Sequence, residues 1–359
     1  MAKLRSVLIM AGGTGGHVFP GLAVAKKLRE QGVEVNWLGT QKGLEAKLVP
    51  NAGIPLHFIS ISGLRGKKLK NLLLAPFTLT LAIFQAIKII HRLKPDVVLG
   101  MGGFVSGPGG IASFILRVPL VIHEQNAKPG MTNKWLALLA RKILEGFPDT
   151  FSKRTNVITT GNPVRAEIFQ LPRSKDQFDA ARPLHLLVIG GSLGAAAINE
   201  LVPKALAKLS PQERPDVLHQ TGEKHFAETE QFYAKENVKG EIKPFITAMD
   251  KAYQWADLVL CRAGALTVAE LCAAGLGAIL VPFPHAVDDH QTANAGFMVK
   301  NQAALLIQQG DLTADRLAEV LRDFNSKREK CFFMAQSAYN SRKMDATEHV
   351  LKVCEEICH

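Results

Sequence analysis

A glycine-rich turn between an apolar run and a helix-forming run occurs twice in this chain. The first copy, VLIMAGGTGGHVFPGLAVAKKL, starts at Val7, and the second, LLVIGGSLGAAAINELV, starts at Leu186. Gly13 and Gly191 hold matching places in the two copies, separated by about half of the 359 residues. The repeat predicts an α/β protein made of two Rossmann-like domains, with parallel sheets that face a central cleft.

Each turn has the properties of a phosphate-binding loop. Glycine allows the backbone to adopt positive φ and to approach a ligand closely. The first N–H groups of the following helix have no partner within the helix and carry partial positive charge, which favours an anion. Both halves of the chain are therefore candidates for a phosphate-containing ligand.

Short apolar segments alternate with helical spacing in both halves, which is typical of buried parallel strands joined by helices. They are VEVNWLG, PDVVLGMGG and VPLVIHEQN in the first half, and LHLLVIGG, DVLHQTG, ADLVLCRAG and GAILVPFP in the second. The segment TTGNPVR interrupts this pattern, so we predict an N-terminal domain at 1–161 and a C-terminal domain at 162–340. The helical spacing at about 341–359 predicts a last helix that packs back on the first domain.

Composition and cysteine content indicate the cellular compartment in which the chain folds. The chain is 47% hydrophobic and long enough for two cores. Five cysteines without a CxxC pair argue against a disulfide framework and favour a reducing compartment. The apolar run near the N-terminus is about five residues long, too short for the core of a signal peptide, so we expect a cytoplasmic protein.

Charge is unevenly distributed. The net charge is +11, yet no acidic residue lies between Glu45 and Asp96. This basic region contains an uncharged run, Asn71 to Ile87, which we expect to form one or two helices. The run is marginal in length for a bilayer of about 30 Å and is interrupted by Pro76, which argues against a transmembrane span.

Two interpretations of this basic and apolar segment remain open. It forms either a buried helix preceded by a solvated basic loop, or a peripheral contact with an anionic membrane surface. The residues expected at a membrane contact are Lys67, Lys68, Lys70, Leu73, Leu74 and Phe77. Nucleic acid is not an expected partner, because no aromatic interleaving and no recognised nucleic-acid module accompanies the lysines.

The glycine turns do not fit dinucleotide binding. A G-x-G-x-x-G fingerprint needs a glycine where Val18 stands, and the second strand has no acid at its end to bind a ribose. A third glycine-rich loop, GMGGFVSGPGG, contains Gly102 and Gly103 and again follows a predicted strand. Three such loops favour a large phosphorylated substrate.

Seven motifs, in order, resemble the MurG family of N-acetylglucosaminyltransferases, which convert lipid I into lipid II in bacterial peptidoglycan synthesis. They are GGTGGHVFPGLA, GMGGFVSGP, HEQNAKPGMTNK, GNPVR, GGSLGA, RAGALTVAEL and PFPHAVDDHQTANA. The resemblance implies a GT-B fold and an inverting hexosyltransferase that forms a β-1,4 link with neither metal nor cofactor. It implies a UDP-N-acetylglucosamine donor, held mainly by the C-terminal domain, and a lipid I acceptor, held mainly by the N-terminal domain.

The same resemblance implies a peripheral enzyme on the cytoplasmic face of the cell membrane, with other cell-wall synthesis proteins among its candidate partners. It also implies which residues bind the donor. They are Thr14, Gly15, Gly16, Asn126, Arg165, Ser192, Ile246, Ala265, Leu266, Thr267, Val268, Ala269, Glu270, His290 and Gln291.

Several of these residues have a specific expected role. The amides near Ala265 to Thr267, at the start of a helix, are suited to the donor's diphosphate, and Ser192 would add a hydroxyl donor to it. Glu270 would accept hydrogen bonds from the ribose diol; the alternative is an ordinary solvated glutamate. Arg165 would supply positive charge across the cleft, and Ile246 would meet the uracil through its backbone. The sugar would contact Gln291, His290 and Asn126.

His17 is the predicted general base. It follows the first glycine turn at the start of a helix, where the helix dipole favours the neutral imidazole that can accept a proton. The alternative is that His17 only binds the diphosphate or the acceptor. Glu124 and Asp96 are the other candidate bases, and Gly102, Gly103 and Glu124 are expected on the acceptor side. The adjacent Asp288 and Asp289 are the one candidate pair for a metal, and we expect no metal there.

Three other functions compete with this one. A nucleotide-sugar epimerase or other oxidoreductase would need a bound nicotinamide, against which the failed fingerprint argues. A natural-product glycosyltransferase would share the donor site but would not need the basic apolar segment. A non-catalytic membrane-associated binding protein would not need His17 and Glu270 in these settings.

Overall fold

The computed structural model describes residues 3–61, 75–151, 154–171, 182–191 and 194–358. The chain divides into two compact units, residues 1–164 with 345–359, and residues 165–344. Each unit contains one parallel sheet with helices, so the predicted pair of parallel α/β domains is confirmed.

The central strands of the first unit are apolar and fully buried, as expected for a parallel sheet covered on both faces. The strands are β1 (Ser6–Met10), β2 (Glu34–Gly39), β3 (Leu56–Phe58), β4 (Val97–Gly100), β5 (Leu120–Glu124), β6 (Lys142–Glu145) and β7 (Val157–Thr159). The helices are α1 (Gly15–Glu30), α2 (Glu45–Asn51), α3 (Ala75–Leu93), α4 (Ser106–Ile115), α5 (Met131–Leu136) and the C-terminal helix (Ala346–Ile357).

The strand order in this sheet is β3-β2-β1-β4-β5-β6-β7. At the carboxyl end of β1, Met10 pairs with Leu38 of β2 on one side and with Gly100 of β4 on the other. The order reverses between β1 and β4, and loops at such a switch point form the ligand crevice of open α/β sheets. The first glycine turn and the loop that contains Gly102 and Gly103 both lie at this point.

The C-terminal helix belongs to the first unit. Its residues Val350 and Leu351 are buried in the same core as Val24 and Leu28 of α1. Burying an apolar side chain of this size contributes roughly 1.5–3 kcal/mol. The ion pair between Lys27 and Glu348, at 2.9 Å, joins the two helices at the surface, where such pairs contribute about 1 kcal/mol or less.

Helix α3 covers the other face of the sheet with only a narrow buried stripe. Ala82, Ala86 and Ile90, spaced one helical turn apart, are buried, whereas the side chains of Phe77 and Phe84 are 70% and 60% exposed. The interpretation of this apolar segment as a buried helix therefore does not hold for α3, which buries only one stripe of its surface. Among the described residues, no helix combines the length and the apolar character needed to cross a bilayer.

The second unit repeats the first. Its strands are β8 (His185–Ile189), β9 (Asp216–Gln220), β10 (Glu241–Lys243), β11 (Leu258–Cys261), β12 (Gly277–Leu280) and β13 (Ala304–Leu306). Its helices are α6 (Ala166–Phe169), α7 (Ala196–Ala207), α8 (Phe226–Lys235), α9 (Met249–Trp255), α10 (Ala265–Ala274), α11 (His290–Lys300), α12 (Ala314–Ser326) and α13 (Arg328–Asn340). Single 3₁₀ turns lie at Glu223–His225, Val287–Asp289 and Gln309–Asp311.

The second sheet has the order β10-β9-β8-β11-β12-β13. Cys261, the last residue of β11, pairs with Ile189 of β8 and with Leu280 of β12. The order reverses between β8 and β11, so Gly191, which follows β8, and the start of α10, which follows β11, both lie at the carboxyl side of this switch point. The two units thus present their candidate binding loops at equivalent places.

All five cysteines are free thiols, and four of them are buried. Burial raises the pKa of the Cys261, Cys272, Cys331 and Cys354 thiols to about 12. At neutral pH these side chains are uncharged and act as small apolar groups.

Candidate active site

The first glycine turn is held by a buried carboxylate. Gly13, at φ 94°, donates its N–H to Oε2 of Glu45 at 3.0 Å. Oε1 of Glu45 accepts from both the N–H and the hydroxyl of Thr40, at 3.0 and 2.8 Å. Glu45 is fully buried, so its oxygens find their hydrogen-bond donors inside the protein. The Gly13 N–H is therefore already occupied, which makes Gly13 unsuited to binding a phosphate.

The third glycine-rich loop touches this turn. Gly103, at φ 81°, lies so close to Gly12 that a Cβ atom on Gly103 would come within 2.3 Å of the Gly12 carbonyl oxygen. A Cβ on Gly102, at φ 99°, would lie 2.6 Å from Nδ1 of His17. Any larger residue at either position would displace the turn or the ring. The structure therefore brings Gly102 close to His17 and Gly103 close to Gly12; their place on the acceptor side stays a prediction.

His17 is the third residue of α1 and is half-buried at the carboxyl edge of the sheet. Its N–H is bonded to the Thr14 carbonyl, and its ring atom Nδ1 lies 3.0 Å from Oε1 of Gln125. Thr14 is the exposed N-cap residue, and its side chain does not cap the helix. Gly15 and Gly16, the first two residues of α1, keep the N–H groups that a helix leaves without an internal partner.

Glu124 organises its own loop. Its Oε1 atom accepts from the N–H and the side-chain amide of Asn126, at 3.0 and 3.1 Å. Its Oε2 atom accepts from the Gly130 N–H at 3.0 Å and from the Asn133 side chain at 2.9 Å. The carboxylate is buried, with four donors on two oxygens. In this geometry Glu124 shapes the loop that contains Asn126 and is not presented to an acceptor as a base.

Asp96 lies at the wrong end of the sheet for catalysis. It precedes β4, so it is at the amino edge, whereas His17 and the glycine loops are at the carboxyl edge. Its Oδ2 atom accepts from the N–H groups of Arg5 and Ser6, at 2.8 and 3.0 Å. The hypothesis that Asp96 is an alternative base is wrong for this reason.

In the second unit, α10 begins directly after β11 and its N-cap loop. Gly264 is the N-cap residue, and no side chain caps the helix. The amides of Ala265, Leu266 and Thr267 therefore point out of the helix N-terminus, as a diphosphate site requires. Val268 differs, because its N–H already bonds to the Gly264 carbonyl at 2.9 Å and its side chain is fully buried. Val268 therefore has neither a free N–H nor an exposed side chain to offer to the sugar-nucleotide donor, and it packs in the core.

Glu270, one turn further along α10, is held on both oxygens. Oε1 lies 3.2 Å from Nη2 of Arg165, and Oε2 accepts from the hydroxyl of Tyr253 at 3.0 Å. Burial raises the pKa of Glu270, while the Arg165 charge and the Tyr253 hydrogen bond lower it in part. Its side chain is 12% exposed, so the alternative of an ordinary solvated glutamate does not apply. Each oxygen keeps a further lone pair that a diol can approach.

Two other residues predicted to bind the sugar-nucleotide donor, Ile246 and Gln291, take part in hydrogen bonds between a backbone N–H and a glutamine side chain. Ile246 donates its N–H to Oε1 of Gln220 at 2.9 Å, which fixes the backbone at the predicted uracil contact. Gln291 accepts from the Phe283 N–H at 2.9 Å through its own Oε1. His290 and Ala269 are both half-buried on their helices.

Asp288 and Asp289, the candidate pair for a metal, lie in a 3₁₀ turn before α11. Both residues have left-handed backbone, at φ 53°, and Oδ1 of Asp289 accepts from the Thr292 hydroxyl at 2.7 Å. Within the described ranges, no group of three or more His, Cys, Asp or Glu side chains has the arrangement to hold a metal ion.

Some predicted residues lie outside the described part of the chain. They are Ser192, Lys67, Lys68, Lys70, Leu73 and Leu74. Phe77, from the same predicted membrane contact, is described and exposed.

Sequence reasoning missed three residues that the structure puts at the site. Tyr253 contacts Glu270, Gln125 contacts His17, and Glu45 binds Gly13. Gln125 belongs to the motif HEQN, which could have indicated that it lies at the site. For Tyr253 and Glu45 no pattern in the sequence indicates the contact.

Both halves of the chain match models of one glycosyltransferase family. Residues 7–145 match the Glycosyltransferase family 28 N-terminal domain, and residues 185–350 match the Glycosyltransferase family 28 C-terminal domain. A Marinobacter nauticus protein is 52% identical over 353 residues, which are 98% of this chain and 97% of that protein. Its name is UDP-N-acetylglucosamine--N-acetylmuramyl-(pentapeptide) pyrophosphoryl-undecaprenol N-acetylglucosamine transferase.

Solved structures show the same relationship. The crystal structure of Acinetobacter baumannii MurG is similar with a TM-score of 0.84 and 42% identity, covering 98% of this chain and 99% of that one. The calicheamicin glycosyltransferase CalG4 has a TM-score of 0.67 at 15% identity, covering 99% of this chain and all of that one (100%). The second likeness shows the fold alone.

Proposed function

Because the chain belongs to glycosyltransferase family 28 and, within it, to the MurG family, we propose that it transfers N-acetylglucosamine from UDP-N-acetylglucosamine to lipid I. Lipid I is the undecaprenyl-pyrophosphoryl-N-acetylmuramyl-pentapeptide, and the product is lipid II. The observation that carries the proposal is the 52% identity across nearly the full length of both proteins. The GT-B arrangement of two parallel α/β domains supports it.

The second unit supplies most of the donor contacts in this proposal. The amides of Ala265, Leu266 and Thr267 bind the diphosphate, because a helix N-terminus favours an anion. Glu270 accepts hydrogen bonds from the ribose diol and is held in place by Tyr253. The remaining donor contacts are Thr14, Gly15, Gly16, Asn126, Arg165, Ser192, Ile246, Ala269, His290 and Gln291.

His17 acts as the base in the first unit. Its imidazole takes the proton from the 4-hydroxyl of the muramyl sugar as that oxygen attacks the anomeric carbon of N-acetylglucosamine. The new C–O bond forms on the face opposite the breaking C–O bond to UDP, so the α-linked donor gives a β-1,4 product. UDP leaves with the bonding electron pair. A base in this position contributes roughly 10²–10⁴-fold to the rate.

The charge on the leaving UDP is stabilised by the α10 amides and by Arg165, and we propose that the reaction needs no metal ion. The Arg165 guanidinium lies 3.2 Å from Glu270, so the two side chains form one charged pair at the ribose and diphosphate end of the site.

The first unit also meets the membrane in this proposal. Phe77 and Phe84 on α3 would enter the headgroup region of the cytoplasmic leaflet. The basic segment that contains Lys67, Lys68 and Lys70 precedes α3 in the sequence and would add positive charge to the contact. Each lysine near an anionic surface contributes about 1 kcal/mol. This contact would place the protein on the membrane where lipid I is held. Other cell-wall synthesis proteins are its candidate partners there.

The test is transfer of labelled N-acetylglucosamine from UDP-N-acetylglucosamine to a short-chain lipid I analogue, with and without EDTA. We expect product in both conditions for the wild type, and at least roughly 100-fold less for His17→Ala. His349→Ala, an exposed histidine on the C-terminal helix of the same unit, is the matched control and should keep full activity. No product from the wild type, under conditions in which a known transferase is active, would contradict the proposal.

A natural-product glycosyltransferase is the second candidate, supported only at the level of fold. A panel of small hydroxylated acceptors separates the two functions. Transfer to these acceptors, but not to the lipid I analogue, would favour the second candidate.

A further inference from the structure

A chain of hydrogen bonds runs behind His17 and ends on a backbone carbonyl. Nδ1 of His17 lies 3.0 Å from Oε1 of Gln125, and Nε2 of Gln125 lies 3.1 Å from Nδ1 of His123. Nε2 of His123 lies 3.0 Å from the carbonyl oxygen of Gly161. All four residues belong to the first unit, and both His123 and Gln125 are buried.

The direction of this chain follows from its fixed end. A carbonyl oxygen can only accept a hydrogen bond, so Nε2 of His123 must carry a proton and donate it to Gly161. In a neutral imidazole the other nitrogen is then an acceptor, so Nδ1 of His123 accepts from the amide nitrogen of Gln125. The amide oxygen of Gln125 therefore faces His17.

One further contact and the pKa of His123 support this orientation. Nε2 of Gln125 also lies 3.4 Å from the carbonyl oxygen of His123, where only a donor is favourable. Burial lowers the pKa of His123 to about 4, which keeps its ring neutral at physiological pH. The Gln125 amide is consequently ordered in one orientation by two acceptors.

We propose that Gln125 and His123 are positioning residues that fix the tautomer of His17, with the proton on Nδ1 and the lone pair on Nε2. An amide oxygen at Nδ1 accepts only from the N–H form of that nitrogen. The unprotonated Nε2 is then the atom that takes the proton from the acceptor hydroxyl. The inference rests on the proposed function, because it assigns the basic atom of the proposed base.

In this arrangement an uncharged residue, Gln125, selects the tautomer of His17. In the serine protease triad a carboxylate holds the histidine, and a wrong tautomer there lowers kcat by about 10⁴. In this protein the same selection comes from a neutral amide, itself oriented by a neutral histidine and a backbone carbonyl. Gln125 and His123 are both uncharged, so these two hydrogen-bond partners add no ionised group behind His17.

The first experiment reads the tautomer directly and does not depend on activity. Long-range ¹H–¹⁵N correlation spectra of the ¹⁵N-histidine-labelled wild type distinguish protonated from unprotonated ring nitrogens. The His17 signals are assigned by their loss in His17→Ala. We expect a protonated Nδ1 and an unprotonated Nε2. The opposite tautomer, which free histidine favours in water, would overturn the inference even if transferase activity is intact.

The second experiment compares two substitutions of Gln125. Gln125→Met keeps the length of the side chain but has no acceptor, so kcat should fall roughly tenfold or more, with the KM for UDP-N-acetylglucosamine within about threefold. Gln125→Glu keeps an acceptor for Nδ1 and should retain more kcat than Gln125→Met. A residue that only packs would give the reverse order, since a buried carboxylate disturbs a core more than methionine does. Equal or higher kcat in Gln125→Met would therefore overturn the inference.

Discussion

The hydroxyl of Tyr253 donates a hydrogen bond to Oε2 of Glu270 at 3.0 Å, inside a site where the tyrosine is fully buried. Burial raises the pKa of Tyr253 well above its ordinary value, so the phenol stays protonated and remains a donor. The hydrogen bond fixes one oxygen of Glu270, while Arg165 lies beside the other. The carboxylate proposed to bind the donor's ribose is thus oriented before any ligand arrives.

Substituting Tyr253 by phenylalanine should weaken donor binding without unfolding the protein. A hydrogen bond to a charged group contributes about 1.5–3 kcal/mol, part of which water can replace at the edge of the site. We expect the KM for UDP-N-acetylglucosamine to rise roughly five- to tenfold in Tyr253→Phe, with a smaller change in kcat. Steady-state kinetics over a range of donor concentrations measures both constants.

Tyr233→Phe is the control for this experiment. Tyr233 is buried in the same unit, but its hydroxyl pairs with His219. This variant should keep the wild-type KM. If the two phenylalanine variants raised the KM equally, the effect would be general destabilisation and the role given to Tyr253 would fail.

Glu45→Gln should destabilise the first glycine turn. A glutamine amide has one acceptor oxygen, so its NH₂ group would face either the Gly13 N–H or the Thr40 N–H. A buried donor left without a partner costs about 1–3 kcal/mol, and we expect the free energy of unfolding of the first unit to fall by this amount. Because the turn leads directly to His17, kcat should fall as well.

Urea unfolding, together with the transfer assay, measures both effects of Glu45→Gln. Glu30→Gln is the matched control, because Glu30 is an exposed glutamate of the same unit with only a 3.9 Å contact to Lys27. It should change stability by less than about 0.5 kcal/mol. Unchanged stability and kcat in Glu45→Gln would show that the turn does not need its carboxylate.

Stability should fall on mild acidification because of two buried histidines. Burial lowers the pKa of His123 from 6.5 to about 4 and that of His219 to about 3. Below pH 6.5 the unfolded chain binds protons that the folded rings do not accept, so the free energy of unfolding decreases as pH falls toward these values. Each histidine should cost roughly 2 kcal/mol between pH 7 and pH 5.

Urea unfolding at pH 7 and pH 5 measures this loss, and hydrogen exchange assigns it to each unit. His219→Asn should remove the acid sensitivity of the second unit, whereas the exposed His349→Asn should leave that of the first unit in place. An acid sensitivity that persists in His219→Asn would contradict the assignment.

Membrane binding should depend on the exposed phenylalanines of α3. The double variant Phe77→Ser and Phe84→Ser removes two aromatic rings that are 70% and 60% exposed. Loss of even part of their burial in the headgroup region, at roughly 1.5–3 kcal/mol per ring, should reduce partition into phosphatidylglycerol-containing vesicles by about tenfold or more. Flotation with these vesicles measures the partition.

Phe333→Ser is the control for the vesicle experiment, since Phe333 is a 62% exposed phenylalanine of the second unit. It should bind vesicles like the wild type. Equal loss in both proteins would mean that exposed aromatic residues anywhere on the surface promote binding, and α3 would have no special role.

Much of the fold could be predicted because the relevant signals are local. A glycine at positive φ, such as Gly13 or Gly191, is required by the backbone of the turn itself. Buried parallel strands such as LHLLVIGG show as continuous apolar runs between polar residues. The resemblance to the MurG family likewise depends on short sequence motifs, and the comparisons confirm it.

The hydrogen-bond partners of the predicted site residues could not be predicted from local sequence patterns. Glu124 and Asp96 looked equally available as bases, and only the folded chain shows one satisfied by its loop and the other at the opposite edge of the sheet. The partners of His17 and Gly13 stand 108 and 32 residues away from them in the chain. Such contacts depend on how strands and helices are brought together.

The amino-acid sequence by itself determined the two α/β domains, the places of their glycine loops and the family, because backbone conformation and hydrophobic periodicity are properties of neighbouring residues. The tertiary structure alone decided that Tyr253 holds Glu270, that Glu45 closes the first turn and that Gln125 faces His17. These side chains meet only after the sheets assemble, and a hydrogen bond forms only when donor and acceptor come within about 3 Å in the correct orientation.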